Sequence, residues 1–426
     1  MESIMQILPF LFIFSAASGG AALAAEPPPS ALPELLQYAM KNNALYPTQQ
    51  AQLNALEGKA QSAEATFFNN PVIDWSGGKK GPAAGNPEKV QQNEWGLGIS
   101  QTFEIAGQQG YRQDIAHLSM NTFQAASLDT RNELRLITAT LFYKILALQE
   151  KVRLENEAVA LYSRAEALVS QQITSGSATR LDNNLATIER HLAENQLLVA
   201  RQSLQDTRSE LARFLLLSED IIPELQGELD ATTSVLPYTY NVLEQQLANT
   251  PKRRQLAWQE KQAAAELKLQ KAARVPDITF GIRYSQDGPG NQREDLTTLS
   301  VSVPLPLFQR NEEAIGAAVT ALTRSQLALD NFQNEQRQQL KNQWSKLDNL
   351  KKRAVILNDQ VLPVTQMNKR LTRVAQEYGQ SSLPDILLAS QQILTAQRNR
   401  LDTLLDYQTT RLALENLANW PAERAQ

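Results

Sequence analysis

Cysteine is missing from all 426 residues, and histidine is almost missing, with His117 and His191 the only two. Without thiols there is no disulfide, thiolate metal site, cysteine nucleophile or acylated lipobox cysteine to consider. Two histidines could join a zinc centre only if carboxylates supplied most of its ligands, and each reads instead as a helix-surface residue. A dominant charge is lacking too: 41 Lys and Arg face 45 Asp and Glu, for a formal charge of -4. That balance gives no basic footprint, so nucleic acid is not an expected partner. No nucleophile elbow, phosphate loop or H-E-x-x-H motif occurs, and neither an enzyme, a cofactor nor a resident metal is expected.

Long hydrophobic runs are scarce as well. An apolar core from Ile7 to Phe14 leads through small residues to Ala22-Leu23-Ala24, an A-x-A cleavage site. The core falls short of the ~18 residues that a spanning helix needs, so it reads as a secretory signal rather than an anchor. Residues 1–24 are thus the expected signal, although Glu2 is the only charge before the core and no Lys or Arg precedes it. The remaining chain, 42% apolar and 20% charged overall, has the composition of a folded protein.

What fills it is a duplication, two copies of one pattern about 205 residues apart. Pro71-Val72-Ile73-Asp74-Trp75 opens one copy and Pro276-Asp277-Ile278-Thr279-Phe280 the other, each with an aromatic four residues after its proline. Polar loops follow, from Ser76 to Asn93 and from Ser285 to Asp295, and then alternating strands ending near Phe103 and residue 305. The predicted strands are 71–77, 94–103, 276–285 and 295–305.

After each strand pair the sequence turns helical for about 70 residues, which at 1.5 Å per residue is on the order of 100 Å. Apolar residues recur in sevens at Leu134, Leu141, Leu148, Tyr162 and Val169, with Glu155 out of step. The second copy repeats them at Leu350, Leu357, Val364, Leu371 and Tyr378, giving a coiled-coil seam in both copies. Pro363 predicts a kink in the second. Each long helix ends at a glycine, Gly176 or Gly379, with Asp182 or Asp385 six residues on, and a second long helix returns. The division is therefore a first repeat over 25–217 with its hairpin at 108–217, a linker over 218–240, a second repeat over 241–417 with its hairpin at 311–417, and a tail over 418–426.

Four strands of about ten residues suit a tilted barrel crossing a bilayer, yet four cannot close. An open edge is not tolerated in lipid, so several chains must complete one barrel, and three would supply twelve strands. The helices, wet except along a narrow seam, belong outside lipid.

This plan resembles the TolC-type outer-membrane efflux proteins over the whole mature chain. Within that group, Gln101-Thr102-Phe103-Glu104-Ile105-Ala106-Gly107 and Val303-Pro304-Leu305-Pro306-Leu307-Phe308 resemble the CzcC-like branch associated with heavy-metal cation efflux. The resemblance implies a mainly α protein with a β-barrel part: a homotrimer whose twelve-stranded barrel sits in outer-membrane lipid and whose helices form a periplasmic tunnel. It also implies a passive duct, fed by an inner-membrane resistance-nodulation-division pump through a periplasmic adaptor. Drug efflux and type I secretion use the same fold, and a non-channel coiled-coil scaffold would share the heptads. Lacking cysteine, this chain would be held by its barrel rather than by a lipid.

Two readings stand for Asp182 and Asp385. Repeated threefold they would form carboxylate rings at the periplasmic entrance, with pKa values raised by like-charge repulsion; alternatively each caps a helix. Arg180 is a candidate for closing the entrance, although the arginine that the family places at the tip falls at Ser381 here. Gly176, Ser177, Gly379, Gln380 and Ser381 are the candidate adaptor contacts. Trp75 and Trp95 suit the membrane interface, or packing at strand ends.

Overall fold

The computed structural model describes residues 30–43, 45–80, 92–217, 222–229, 236–288, 293–378 and 382–420. The expected leader, Gly379, Gln380, Ser381 and the tail beyond Trp420 lie outside the described residues. Two short helices, α1 (Leu32–Asn42) and α2 (Leu45–Glu64), lead into strands β1 (Val72–Lys80) and β2 (Gln92–Phe103). Helices α3 (Gln108–Thr174) and α4 (Arg180–Phe214) form the first hairpin. The same order then recurs, with α5 (Tyr240–Gln246), α6 (Pro251–Ala272), β3 (Ile278–Asp287), β4 (Glu294–Ser302), α7 (Glu312–Val355), α8 (Leu362–Glu377) and α9 (Leu383–Leu417).

Helix α3 runs for 67 residues without a proline, so its backbone ladder is never broken. It begins after Gly107, at φ 77°, and α7 begins after Asn311, at φ 61°; glycine and asparagine are the residues that tolerate this left-handed conformation best. Pro363 does not break its helix. A π-helical turn over Ile356–Val361 precedes it, with the Leu362 amide donating to the Leu357 carbonyl, and α8 continues. The wider turn takes up the mismatch created by a residue that has no amide proton to give.

Hairpin ends repeat as closely as the helices. At Gly176, φ 76°, the Gly176 amide donates to Ile173 at 3.0 Å and Ser177 to Gln172 at 2.9 Å, the paired bonds of a Schellman turn. Helices α4 and α9 end in the same way at Leu216 and Asn419, whose φ values are 58° and 51°.

Burial is concentrated where short helices cross long ones. Leu35 and Ala39 of α1 pack on Phe142 and Ile145 of α3, Leu211 of α4, and Leu225 from the segment between the repeats. The second repeat builds a matching core, in which Leu243 of α5 and the preceding Tyr238 meet Leu340 and Leu347 of α7 and Tyr407 and Leu414 of α9. A third cluster joins the repeats, with Leu154, Ala158 and Tyr162 of α3 against Ala193 of α4 and Leu394 of α9. Here Glu155, out of step in the heptad, has 0% side-chain exposure and takes both oxygens to Arg398 of α9, from Nε at 2.8 Å and Nη2 at 2.6 Å.

All four strands form one antiparallel sheet in the order β1-β2-β3-β4, so the β2–β3 ladder joins the repeats and β1 and β4 are left as edges. The strands differ from the composition-based bounds at their loop ends. Gly78 to Lys80, Gln92 and Asn93, Gln286 and Asp287, and Glu294 lie in strands beyond those bounds. A strand with one wet face has the polar composition of a loop, which is why those bounds fell short. At the other end β4 stops at Ser302, just ahead of Pro304, which cannot donate to a ladder.

Candidate functional site

Because side chains alternate along a strand, the register assigns every residue of the sheet to one of two faces. Ile73 and Trp75 of β1 sit opposite Ile99 and Leu97 of β2. Those in turn face Ile282 and Tyr284 of β3, and Leu299 of β4 extends the row from Ile282. This face is apolar and exposed, with Ile73 at 71%, Trp75 at 72% and Leu299 at 79%. An uncovered apolar surface of this kind marks a contact with lipid or protein.

Aromatic rings gather at two levels of that face. Trp95 and Tyr284 meet edge to face at 5.7 Å towards the loops, and Trp75 lies beside them over Gly77, its ring filling the space where a side chain would stand. At the other end Phe103 contacts Phe280 at 5.8 Å and Phe67 at 5.3 Å. From Trp95 to Phe103 is eight residues of β2, a strand length of about 26 Å. After tilting, that matches the ~25 Å apolar band of an outer-membrane barrel with aromatics at both borders. The second aromatic group was not singled out from sequence, because Phe67, Phe103 and Phe280 come from three separate segments. The repeated aromatic at the strand ends was its only sequence signal.

The opposite face is mainly polar, with Val72 and Leu296 its apolar members and Lys80 at its loop end. It carries Asp74 and Ser76 on β1, Glu94, Gly96, Gly98 and Ser100 on β2, Arg283, Ser285 and Asp287 on β3, and Glu294, Thr298 and Ser300 on β4. One dry face, one wet face and two unpaired edges give the sheet the character of a stave rather than of a finished domain. Among the described residues, no helix is long and apolar enough to cross a membrane, and no cluster of three or more His, Cys, Asp or Glu is arranged for a metal.

At the far end of the helices, Asp182 and Asp385 occupy equivalent capping boxes. Asp182 Oδ2 accepts from the Thr179 amide at 2.9 Å and from its hydroxyl at 2.7 Å. Asp385 Oδ2 accepts likewise from Ser382, at 3.0 and 2.5 Å. The Thr179 and Ser382 hydroxyls, then their amides, hold the two carboxyls below the usual aspartate range. The upward shift expected from like-charge repulsion is therefore opposed inside each subunit by bonds that favour the charged form. Asp385 is exposed and Asp182 half-buried, and the bonds that lower their pKa values keep both ionised. Arg180 is exposed on the first turn of α4, and the partner that engages Asp182 is Thr179 rather than Arg180. Gly176 and Ser177 form the turn itself. Further from the tip, Arg190 of α4 joins Glu166 of α3 at 2.6 Å and Glu194 at 2.5 Å, and His191 bonds Glu194 at 2.9 Å, locking the two arms together.

Known proteins resemble this chain in sequence and in fold. The cobalt-zinc-cadmium resistance protein CzcC of Cupriavidus metallidurans is 24% identical over 304 residues, covering 71% of each chain. The nickel-cobalt-cadmium resistance protein NccC of Alcaligenes xylosoxydans xylosoxydans is 26% identical over 328 residues, covering 74% of this chain and 69% of its own. In fold the chain is similar to CusC, a protein whose crystal structures concern transmembrane channel formation, with a TM-score of 0.76 at 15% identity and 91% of both chains covered. The outer membrane efflux protein family matches residues 35–215 and 242–419, and with both repeats covered the chain belongs to that family.

Proposed function

We propose that three copies of this chain close their sheets into a twelve-stranded barrel and form a passive duct for heavy-metal cations across the outer membrane. The observation that carries this reading is the stave itself, an apolar and a polar face with β1 and β4 unpaired. In hydrocarbon each unpaired backbone group costs several kcal/mol, so the edges must meet those of other copies. The apolar face then turns to lipid and the polar face lines the lumen. The chain is exported by its leader, and its two repeats, 25–217 and 241–417, supply equal shares of the wall. The cargo reading rests on the resistance proteins for cobalt, zinc, cadmium and nickel that this chain is similar to.

On the same reading the hairpins project into the periplasm as a tunnel. Its tips, Gly176 and Ser177 with Gly379, Gln380 and Ser381, meet a periplasmic adaptor that connects to a resistance-nodulation-division pump, which supplies the energy. Asp182 and Asp385, with Arg180 beside the first, ring the entrance as a cation-attracting gate. Their equivalent positions at the start of both return helices support this, because threefold repetition sets six carboxylates at one end of the duct.

Single-channel recording tests both parts. Purified wild-type protein in planar bilayers is expected to conduct, and Asp182→Ala combined with Asp385→Ala is expected to change the conductance or the cation preference. A wild-type trimer that is correctly assembled yet never conducts overturns the duct. Unchanged conductance and selectivity in the double variant overturn the gate and leave the caps as the whole role of the two aspartates.

A further inference from the structure

On the polar face of the sheet, Asp74 of β1 stands opposite Gly98 of β2, and Gly98 stands opposite Arg283 of β3. The acid and the base therefore sit two strands apart with no side chain between them, and they join in an ion pair above the intervening glycine. Arg283 Nη1 also donates to Ser76 Oγ at 2.9 Å. The glycines are what make this possible. A Cβ at Gly98 would lie 2.5 Å from Asp74 Oδ1, and one at Gly96 would lie 3.2 Å from both Arg283 Nη1 and Ser76 Oγ. Both partners stay wet, with side chains 42% and 40% exposed, so water that fills a lumen would bathe the pair.

Acidic positions outnumber basic ones around the pair. Two steps past Ser76 and Ser285, the level of Glu94, Asp287 and Glu294 carries three carboxylates, with Lys80 the one basic position beyond it on this face. Arg283 is thus a guanidinium in a face on which acidic positions outnumber basic ones, and at its own level it pairs with Asp74.

We propose that the Asp74–Arg283 pair is the charge-balancing element of the barrel lumen and sets its preference for cations. This inference rests on the reading of the polar face as a lumen. Three copies would place three such pairs at one level. With Asp74 present, the fixed positive charge is cancelled where the lining would otherwise carry three guanidinium groups, and the acidic positions dominate the field along the wall. A ring of fixed charge acts on permeant ions over roughly a Debye length, about 8–10 Å, comparable with a barrel radius.

Reversal potentials across planar bilayers in a potassium chloride gradient read this directly. Asp74→Asn is expected to lower the cation-to-anion permeability ratio by roughly twofold or more, and Arg283→Gln to raise it by a similar factor. Asp74→Arg combined with Arg283→Asp, which rebuilds the pair in reverse, is expected to restore the wild-type ratio. Heat-modifiable migration of each variant establishes assembly before recording. Variants that conduct with wild-type ratios, or that shift in the same direction, overturn the proposal and leave the pair as a staple between strands. Assembled wild-type protein that does not conduct overturns the lumen reading instead, so the two failures are distinguishable.

Discussion

Replacing Arg398 with alanine is expected to destabilise the protein by about 3–5 kcal/mol, a large share of the stability of any single folding unit. The cost comes from Glu155, which has no side-chain exposure and loses both guanidinium hydrogen bonds at once. Two ions removed from water repay their desolvation only by pairing with each other, and an unpaired carboxylate among Leu154, Ala158 and Leu394 has no substitute partner of the same strength. Replacing both partners, Glu155→Leu with Arg398→Leu, is expected to cost far less, because it removes the buried charge together with its counter-ion. Thermal loss of the helical circular dichroism signal in detergent measures both variants. Wild-type melting of Arg398→Ala, or melting of the double variant as early as the single one, would contradict this role of the pair. Because the pair joins α3 of one repeat to α9 of the other, premature melting would begin where the two hairpins are held side by side.

The second large effect concerns the sheet. Ile99, Ile282 and Leu299 form one row across the apolar face, midway between the two aromatic levels. Ile282→Arg puts a guanidinium at the depth where a barrel tolerates it least, about 2–4 kcal/mol for each subunit. If three subunits close the barrel, that cost is incurred three times, and the heat-modifiable outer-membrane form is expected to disappear. Ser300→Arg places the same side chain one register step away on the opposite face, where water is available, and it is expected to assemble. Gel migration of outer-membrane fractions, boiled and unboiled, separates the two. Equal assembly of both variants would mean that the apolar face does not meet lipid.

Much of this architecture was legible in the sequence because local rules repeat. Glycine ends, capping aspartates, strand-opening prolines and a seven-residue seam each arise from chemistry within a few residues, and the duplication displays every one twice. Long-range pairings were not legible. Glu155 announced itself only as a break in the heptad; its partner is 243 residues away on another helix, and nothing in the local pattern points to it. Asp74 and Arg283 are 209 residues apart, and their meeting depends on the order of the strands and on glycines that read, by themselves, as loop composition. Pro363 was legible as a local irregularity: the rule about interior prolines predicts a kink, and a π-helical turn stands directly before it while the helix continues.

Those features also divide the labour of the molecule. On the proposed reading the sheet meets lipid through one face and ions through the other, while the hairpins, tied by Glu155–Arg398 and by Arg190 with its two glutamates, hold the tunnel wall rigid. On the same reading the carboxylates at the tips and on the polar strand face make both ends of that path favourable to cations. No binding site for the cargo is required along the way, since a passive duct that held its ions tightly would not release them.

Metal sensitivity of a strain lacking this chain tests the central claim most directly. Growth is measured across zinc, cobalt, cadmium, nickel, copper and silver, and in parallel across dyes and antibiotics, with the wild-type chain returned as the control. Sensitisation to one or more of the metals is expected, reversed by the returned chain, with dye and antibiotic tolerance unchanged. Sensitisation to dyes and antibiotics with unaltered metal tolerance would contradict it.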